Sequence, residues 1–195
     1  MSSRPMRPLR IGITGGIGSG KSGVSELLRI AGIPVYDCDR EARRLMTNDP
    51  VLRDALTTLA GPDALDRRAL AAFMFGHPER VQAVNALVHP AVRADFRVWA
   101  DRQETDVVGV ESAILFEAGM REDVDAVVLV FTPVAERIAR AMARDGATED
   151  GVRARMASQM PDVRKIPLAD YIIRNAEADA ITPQVMELIK EIVKQ

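Results

Sequence analysis

Residues 15–22 read Gly-Gly-Ile-Gly-Ser-Gly-Lys-Ser, and this segment restricts the fold of the chain more than any other. A glycine, four further residues and then Gly-Lys-Ser is the spacing of a phosphate-binding loop, or P-loop. Its glycines let successive backbone N–H groups close around phosphate oxygens, and the helix that follows presents the positive end of its dipole. The motif therefore requires a strand before it and a helix after it.

The residues on either side meet this requirement. Residues 9–14 predict a short buried strand, and Gly32 followed by Pro34 predicts the end of a helix. Between the loop and Gly32, apolar residues recur at helical spacing, at Val24, Leu27, Leu28 and Ala31. The loop is therefore predicted to join a strand to a helix and to bind a nucleotide.

The P-loop supplies most of the predicted ATP-binding residues. Lys21 is predicted to reach the β- and γ-phosphates, and the Ser22 hydroxyl to serve Mg²⁺, the expected cofactor with ATP. A compact ammonium fits between two phosphates where a planar guanidinium does not. The predicted loop contacts to ATP are Gly15, Gly16, Ile17, Gly18, Ser19, Gly20, Lys21, Ser22 and Gly23.

Composition excludes several other function classes. A net charge of −2 argues against broad nucleic-acid binding, which needs a basic surface. No apolar run is long enough for a membrane span, so we expect a cytoplasmic protein with no membrane partner. One cysteine and two histidines argue against an internal disulfide and a zinc site. The pattern gives no indication of oligomeric state.

Short apolar runs alternate with helical patterns along the chain. Such alternation predicts an α/β fold, with a five-stranded parallel sheet covered by helices on both faces. Ligands of such sheets bind beyond the carboxyl ends of the strands. The predicted strands are residues 9–14, 34–37, 106–111, 125–131 and 171–173.

Two longer intervals divide this pattern into a core and two additions. We predict a nucleotide-binding core at residues 1–39, 106–137 and 168–195, a helical substrate-binding insertion at 40–105, and a lid at 138–167. Five arginines within the lid, with Arg137 just before it, flank a break at Gly146. Within and next to the insertion, predicted helices cover residues 39–46, 51–59, 66–75, 78–88 and 90–103.

Phosphoryl transfer also needs an oriented acceptor hydroxyl. Asp39 follows the second predicted strand and could take the proton of that hydroxyl. A helix N-cap is the alternative role for Asp39, because aspartate is favoured there. Neighbouring Asp37 could do either job. We interpret Asp39 as the catalytic, acceptor-facing residue and Asp37 as the structural one.

Other residues are candidates for binding the metal ion and the transferring phosphate. Glu111 ends the third predicted strand and could aim a carboxylate at Mg²⁺ through water, or simply be a polar strand end. Arg140 and Arg144 share a helix face, so both could reach the phosphates when the lid closes. The alternative is a solvated face on which Glu136 pairs with Arg140.

Four segments together resemble one family, the dephospho-coenzyme A kinases. Residues 13–22 look like its phosphate loop and 35–39 like its aspartate segment, while 65–70, Phe75 and 85–90 are similar to its helical substrate domain. Residues 114–117 and 140–145 look like the end of its third strand and its lid. The resemblance implies a P-loop kinase fold.

This resemblance also implies an activity and roles for particular residues. The family transfers the γ-phosphate of ATP to the ribose 3′-hydroxyl of dephospho-coenzyme A, the last step of coenzyme A synthesis. Asp39 would then contact or deprotonate that hydroxyl, Arg140 would meet the phosphates, and His89 would touch the substrate or merely pack in the insertion. Ala113 and Gly23 depart from residues usual in the family, and the turn at 61–64 is shorter than usual.

Two other readings remain open from the residues alone. The first is another small-molecule kinase on the same scaffold, acting on a nucleoside, a nucleotide or a shikimate-like alcohol. The second is a nucleotide-binding regulatory switch. A guanine-nucleotide switch normally carries Asn-Lys-x-Asp, which this sequence lacks.

Overall fold

The computed structural model describes residues 7–193; residues 1–6 and 194–195, which the predicted core includes, lie outside the described residues. The described chain divides into two compact units. The first contains residues 7–36 and 100–193, and the second contains residues 37–99. Each unit is described in turn.

A five-stranded parallel sheet forms the centre of the first unit, as predicted. Its order, β2-β3-β1-β4-β5, places the strand that precedes the P-loop in the middle. Ile13 of β1 lies opposite Glu111 of β3, and Thr14 lies opposite Leu129 of β4, so these three strands end at one edge. The strands are β1 (Leu9–Thr14), β2 (Val35–Asp37), β3 (Val107–Glu111), β4 (Ala126–Phe131) and β5 (Tyr171–Arg174).

Helices occupy most of the remaining sequence. They are α1 (Lys21–Ile30), α2 (Cys38–Asn48), α3 (Pro50–Ala60), α4 (Arg67–Met74), α5 (Pro78–Asp101), α6 (Val134–Asp145), α7 (Glu149–Ala157), α8 (Asp162–Lys165) and α9 (Ile181–Val193). Short 3₁₀ turns cover Pro62–Leu65, Met120–Asp123 and Ile166–Leu168. Within the range 7–193, no helix combines the length and the apolar character that crossing a bilayer requires.

The sheet is buried on both faces. On one face, α1 and α9 pack against alternate strand residues such as Ile11, Ile13 and Val128. Val110 and Leu129 belong to the other alternation and are equally buried, as expected for parallel strands covered on both sides. This packing fixes the strand ends, and with them the loop between β1 and α1.

Aspartates start three helices at the beginning of the second unit or within it. Asp37 accepts a hydrogen bond from the Arg40 N–H and caps α2, which therefore begins at Cys38. Asp49 caps α3 in the same way, with Pro50 in the first turn. Asp66 caps α4 by accepting from two backbone N–H groups. Asp37 is thus the structural aspartate of its pair, and the alternative of an N-cap at Asp39 is wrong.

The prediction of two helices, at 78–88 and 90–103, is wrong, because one helix, α5, runs through Pro90. A proline inside a helix removes one backbone hydrogen bond and costs about 3 kcal/mol. The apolar stripe nevertheless continues across it, since Val84, Val88, Val92 and Phe96 are all at least nine-tenths buried. Their burial outweighs the local cost, and Pro90 itself is exposed.

Candidate phosphate-binding site

The P-loop joins β1 to α1, as the sequence predicts. Gly20, at the N-cap of α1, has a left-handed backbone with φ of 87°, and no side chain caps this helix. The first turn of α1 also carries no acidic residue. An uncapped helix start without negative charge favours an anion.

Neighbouring side chains and carbonyls, rather than empty space, surround the loop glycines. A Cβ atom built on Gly16 would overlap the Arg137 guanidinium, and one on Gly18 would overlap the Arg137 carbonyl. A Cβ atom on Gly20 would overlap the Asn175 side-chain amide. These three positions need glycine because of protein atoms packed against the loop, in addition to any close approach of phosphate.

Lys21 and Ser22 lie where the motif requires them. The half-buried Lys21 donates from Nζ to the Gly16 carbonyl across the loop, at 3.3 Å. Ser22 donates from Oγ to Oε1 of Glu111, at 2.9 Å. The sheet register explains this second contact, because Glu111 ends β3 beside Ile13, just before the loop begins.

The pair of Ser22 and Glu111 fits Mg²⁺ held by a nucleotide. In such sites Mg²⁺ keeps several waters and takes one or two protein oxygens along with the phosphates. Over residues 7–193, no three side chains of His, Cys, Asp or Glu converge as a metal cage. The donor set therefore suits a metal that arrives with phosphate.

Arg140 lies beside Gly20, at the end of the P-loop. Its Nη1 would be 4.0 Å from a Cβ atom built on Gly20, and its Nη2 donates to Glu136 at 3.2 Å. Arg140 therefore forms the predicted i,i+4 pair with Glu136 and also lies close to the loop. Glu136 also accepts from the Glu177 N–H, which ties α6 to the segment after β5.

Arg144 has a different environment, one turn further along α6. Its guanidinium donates two hydrogen bonds to Asp145, which also accepts from Arg155. The hydrogen bond to Asp145 raises the pKa of Arg144, and the bonds from Arg144 and Arg155 lower the pKa of Asp145. The structure thus brings Arg140, and not Arg144, to Gly20.

Asp39 and His89 belong to the second unit. Asp39 is exposed and lines a cavity of about 520 Å³ within that unit. Arg43 and Arg67 add positive charge to the same cavity. Its other lining residues are Ala42, Met46, Thr47, Ala64, Leu65, Leu70, Ala71 and Met74. His89 is half-buried and lies inside α5, next to Pro90.

Two residues that hold the P-loop are absent from the sequence-based prediction. Asn175 donates from Nδ2 to the Ser19 carbonyl at 2.8 Å. The Thr132 hydroxyl lies 3.0 Å from both the Ser19 carbonyl and the Asn175 carbonyl. Each residue directly follows a strand, β4 or β5, so the rule that ligand sites form at the carboxyl ends of parallel strands could have found them.

Two more such residues come from α6 and from residues 158–165, which we call the lid arm. Arg137 donates from Nε to the Ile17 carbonyl at 2.8 Å, and it pairs with Asp162. Gln159 accepts a hydrogen bond from the Ile17 N–H at 3.0 Å. Neither residue belongs to a recognisable motif, and only tertiary contacts identify them.

The family model and the relatives found by sequence agree on one family. The family model described as dephospho-CoA kinase matches residues 9–180. A dephospho-CoA kinase of Porphyromonas gingivalis is 43% identical over 190 residues, with 94% of each chain covered. One of Bacteroides fragilis is 41% identical over 187 residues, with 93% of this chain and 91% of the relative covered.

Solved structures resemble the chain over nearly its whole length. A crystal structure from Thermus thermophilus has a TM-score of 0.82 at 38% identity, covering 96% of this chain and 97% of that one. A dephospho-CoA kinase from Campylobacter jejuni gives 0.68 at 25% identity, covering 95% and 97%. A shikimate kinase from Acinetobacter baumannii gives 0.56 at 15% identity, covering 97% and 95%, which shows a shared fold alone.

Proposed function

The chain belongs to the dephospho-CoA kinase family, and from this we propose that it transfers the γ-phosphate of ATP to the ribose 3′-hydroxyl of dephospho-coenzyme A. The products are coenzyme A and ADP, in the last step of coenzyme A synthesis. It is an enzyme of the phosphotransferase class. The observation that carries the proposal is one cradle, in which Lys21, the Ser22–Glu111 pair and Arg140 surround the start of α1.

In this mechanism the cradle holds ATP in place. P-loop amides and Lys21 hold the β- and γ-phosphates, and Ser22 with Glu111 would hold the metal, Glu111 through water. Mg²⁺ held by these residues would neutralise charge on the phosphates. Arg140 stabilises the charge on the transferring group, for which an arginine is worth about 10³- to 10⁵-fold in rate.

Asp39 takes the acceptor proton in this proposal. The O–H bond of the 3′-hydroxyl breaks, its proton passes to the Asp39 carboxylate, and the oxygen attacks the γ-phosphorus as the bond to the β-phosphate bridge breaks. Two observations support the choice of Asp39. Its neighbour Asp37 is already used as the N-cap of α2, and Asp39 is exposed on a cavity that carries Arg43 and Arg67.

Other assignments stay predictions. His89 is predicted to contact the substrate because of the resemblance. Arg144 is predicted to bind ATP, although its guanidinium is hydrogen-bonded to Asp145 in this structure. The cytoplasmic location expected from the sequence is also a prediction. The roles of residues 40–105 in binding the acceptor and of residues 138–167 as a lid are likewise predictions from the sequence.

An ADP-release assay with several acceptors tests which substrate the enzyme uses. We expect ADP release with dephospho-coenzyme A and little ADP release with adenosine or shikimate. Strong turnover of shikimate or adenosine instead would point to another small-molecule kinase. Equal turnover with no acceptor present would favour a regulatory nucleotide hydrolase.

Asp39→Asn tests the base. The substitution should lower kcat by about 10²-fold or more, because a positioned base contributes about 10²- to 10⁴-fold, while MgATP still binds. Asp37→Asn is the matched control, since asparagine caps helices about as well as aspartate. Steady-state kinetics on both variants gives the answer: a near-normal kcat for Asp39→Asn would remove its assigned role.

A further inference from the structure

Arg137 is a buried arginine to which the proposed mechanism gives no role. Its side chain is 5% exposed, yet it carries a charge. A charge at such depth is costly unless every part of it is paired. The partners of Arg137 therefore indicate what the residue does.

Those partners lie on two different segments. Nε donates to the carbonyl of Ile17, inside the P-loop, at 2.8 Å. Nη1 donates to the carboxylate of Asp162, on the lid arm, at 2.5 Å. One planar guanidinium therefore joins the loop to the arm, a geometry that a lysine cannot reproduce.

The contact with the loop extends beyond one hydrogen bond. The guanidinium fills the space beside Gly16, and the backbone of Arg137 fills the space beside Gly18. Gln159 of the lid arm holds the Ile17 N–H. Both polar groups of Ile17 are thus bonded to residues outside the P-loop, and the peptides on either side of it are held in one orientation.

We propose that Arg137 is a positioning residue that sets the conformation of residues 16–18 and couples MgATP affinity to the docking of the lid arm. Asp162 acts on the loop through Arg137 in this arrangement, while its charge also influences Lys165. Loss of either partner loosens the loop, and binding then has to order it again. The inference rests on the proposed function in one respect, that the P-loop binds a magnesium nucleotide.

Calorimetry with MgADP tests this on the full chain, without any acceptor. Arg137→Lys keeps the charge but reaches only one partner, and it should weaken MgADP about tenfold, as expected for loss of about 1.4 kcal/mol. Asp162→Asn leaves every atom of the loop and of Arg137 in place and should weaken MgADP binding by about threefold. Combined with Arg137→Lys, it should add little, because both changes break one link.

Arg10→Lys is the matched control. Arg10 is also a buried arginine, 9% exposed and paired with Asp101, but it lies near the opposite end of β1 from the loop. Its substitution should lower the melting temperature and leave MgADP affinity unchanged. In kinetics, Arg137→Lys should raise KM for ATP by a larger factor than it lowers kcat.

The outcomes separate the two proposals. A wild-type chain that binds no MgADP would remove the proposed function. Wild-type binding with unchanged affinity in folded Arg137→Lys, or an equal loss in Arg10→Lys, would overturn this inference. If Arg137→Lys does not fold, Asp162→Asn alone decides, and normal MgADP affinity in that variant would overturn the coupling.

Discussion

Single glycines in the P-loop are constrained by atoms of residues more than 100 positions away in the sequence. Gly18 has a φ of +78°, which disfavours residues other than glycine. The Arg137 carbonyl also occupies the space that a Cβ atom on Gly18 would need. Gly20 combines a φ of +87° with the Asn175 amide. Backbone conformation and packing therefore both favour glycine at these two positions.

Gly18→Ala and Gly32→Ala separate these two effects. Gly32 has a φ of +84° and nothing within 4 Å of a built Cβ, so its substitution should cost about 1 kcal/mol for the backbone alone. Gly18→Ala adds an overlap with backbone, so we expect a loss of about 2 kcal/mol or more and much weaker MgADP binding. Urea unfolding and calorimetry measure both, and equal losses in the two variants would contradict the packing argument.

At the scale of elements, α6 connects the P-loop to the segment after β5. It places Arg137 against Ile17, Arg140 near Gly20 and Glu136 against the Glu177 N–H. Gly146, with a left-handed backbone, ends the helix, and α7 then packs on it through Val152. A shift of α6 would therefore move several contacts of the loop together.

Arg140→Ala measures the contribution of α6 to phosphoryl transfer. We expect kcat to fall by about 10³-fold, because an arginine over the transferring phosphate is worth about 10³- to 10⁵-fold. Arg153→Ala is the control, since Arg153 pairs with Glu149 at the same i,i+4 spacing on exposed α7. Its kcat should be unchanged. A change confined to KM in Arg140→Ala would return Arg140 to the solvated-face interpretation.

At the scale of the whole molecule, charged side chains hold the lid arm against other parts of the first unit. Lys165 is fully buried and donates from Nζ to the Ala113 carbonyl at 2.9 Å, just after β3. Glu117 lies 3.7 Å from Lys165 and also accepts from the Met160 N–H. Together with Arg137 and Asp162, these groups form a cluster of two positive and two negative charges.

This cluster predicts how stability depends on pH. Burial lowers the pKa of Lys165, and Glu117 and Asp162 only partly oppose it. The unfolded chain therefore holds this proton more tightly, so between the lowered pKa and the ordinary lysine value of about 10.4 the free energy of unfolding from this group rises with pH. The contribution is smallest below that window.

Lys165→Met tests the sign of this pH dependence. It should cost about 1 to 3 kcal/mol, because the Ala113 carbonyl loses its donor and Glu117 loses a nearby positive charge. The deficit relative to wild type should grow as the pH rises toward the ordinary lysine pKa of about 10.4. Lys190→Met, at an exposed lysine paired with Glu187, should show neither effect. Denaturant unfolding at several pH values gives the comparison, and a deficit that shrinks as pH rises would contradict it.

The amino-acid sequence alone determined the elements that local patterns encode. Glycine spacing and apolar periodicity operate within one element, and they indicated the loop and the five strands, while the resemblance of four segments indicated the family. Pro90 led to a wrong helix boundary, because α5 continues through it as a result of the tertiary packing of its apolar face.

Only the tertiary structure decided which distant residues hold the loop. Glu111 meets Ser22 across 89 positions, Arg137 meets Ile17 across 120, and Asn175 meets Ser19 across 156. Such contacts leave no periodic trace, because any polar residue at a strand end or on a helix face produces the same local pattern. Their partners are set by strand order and register, which form only when the sheet closes around its core.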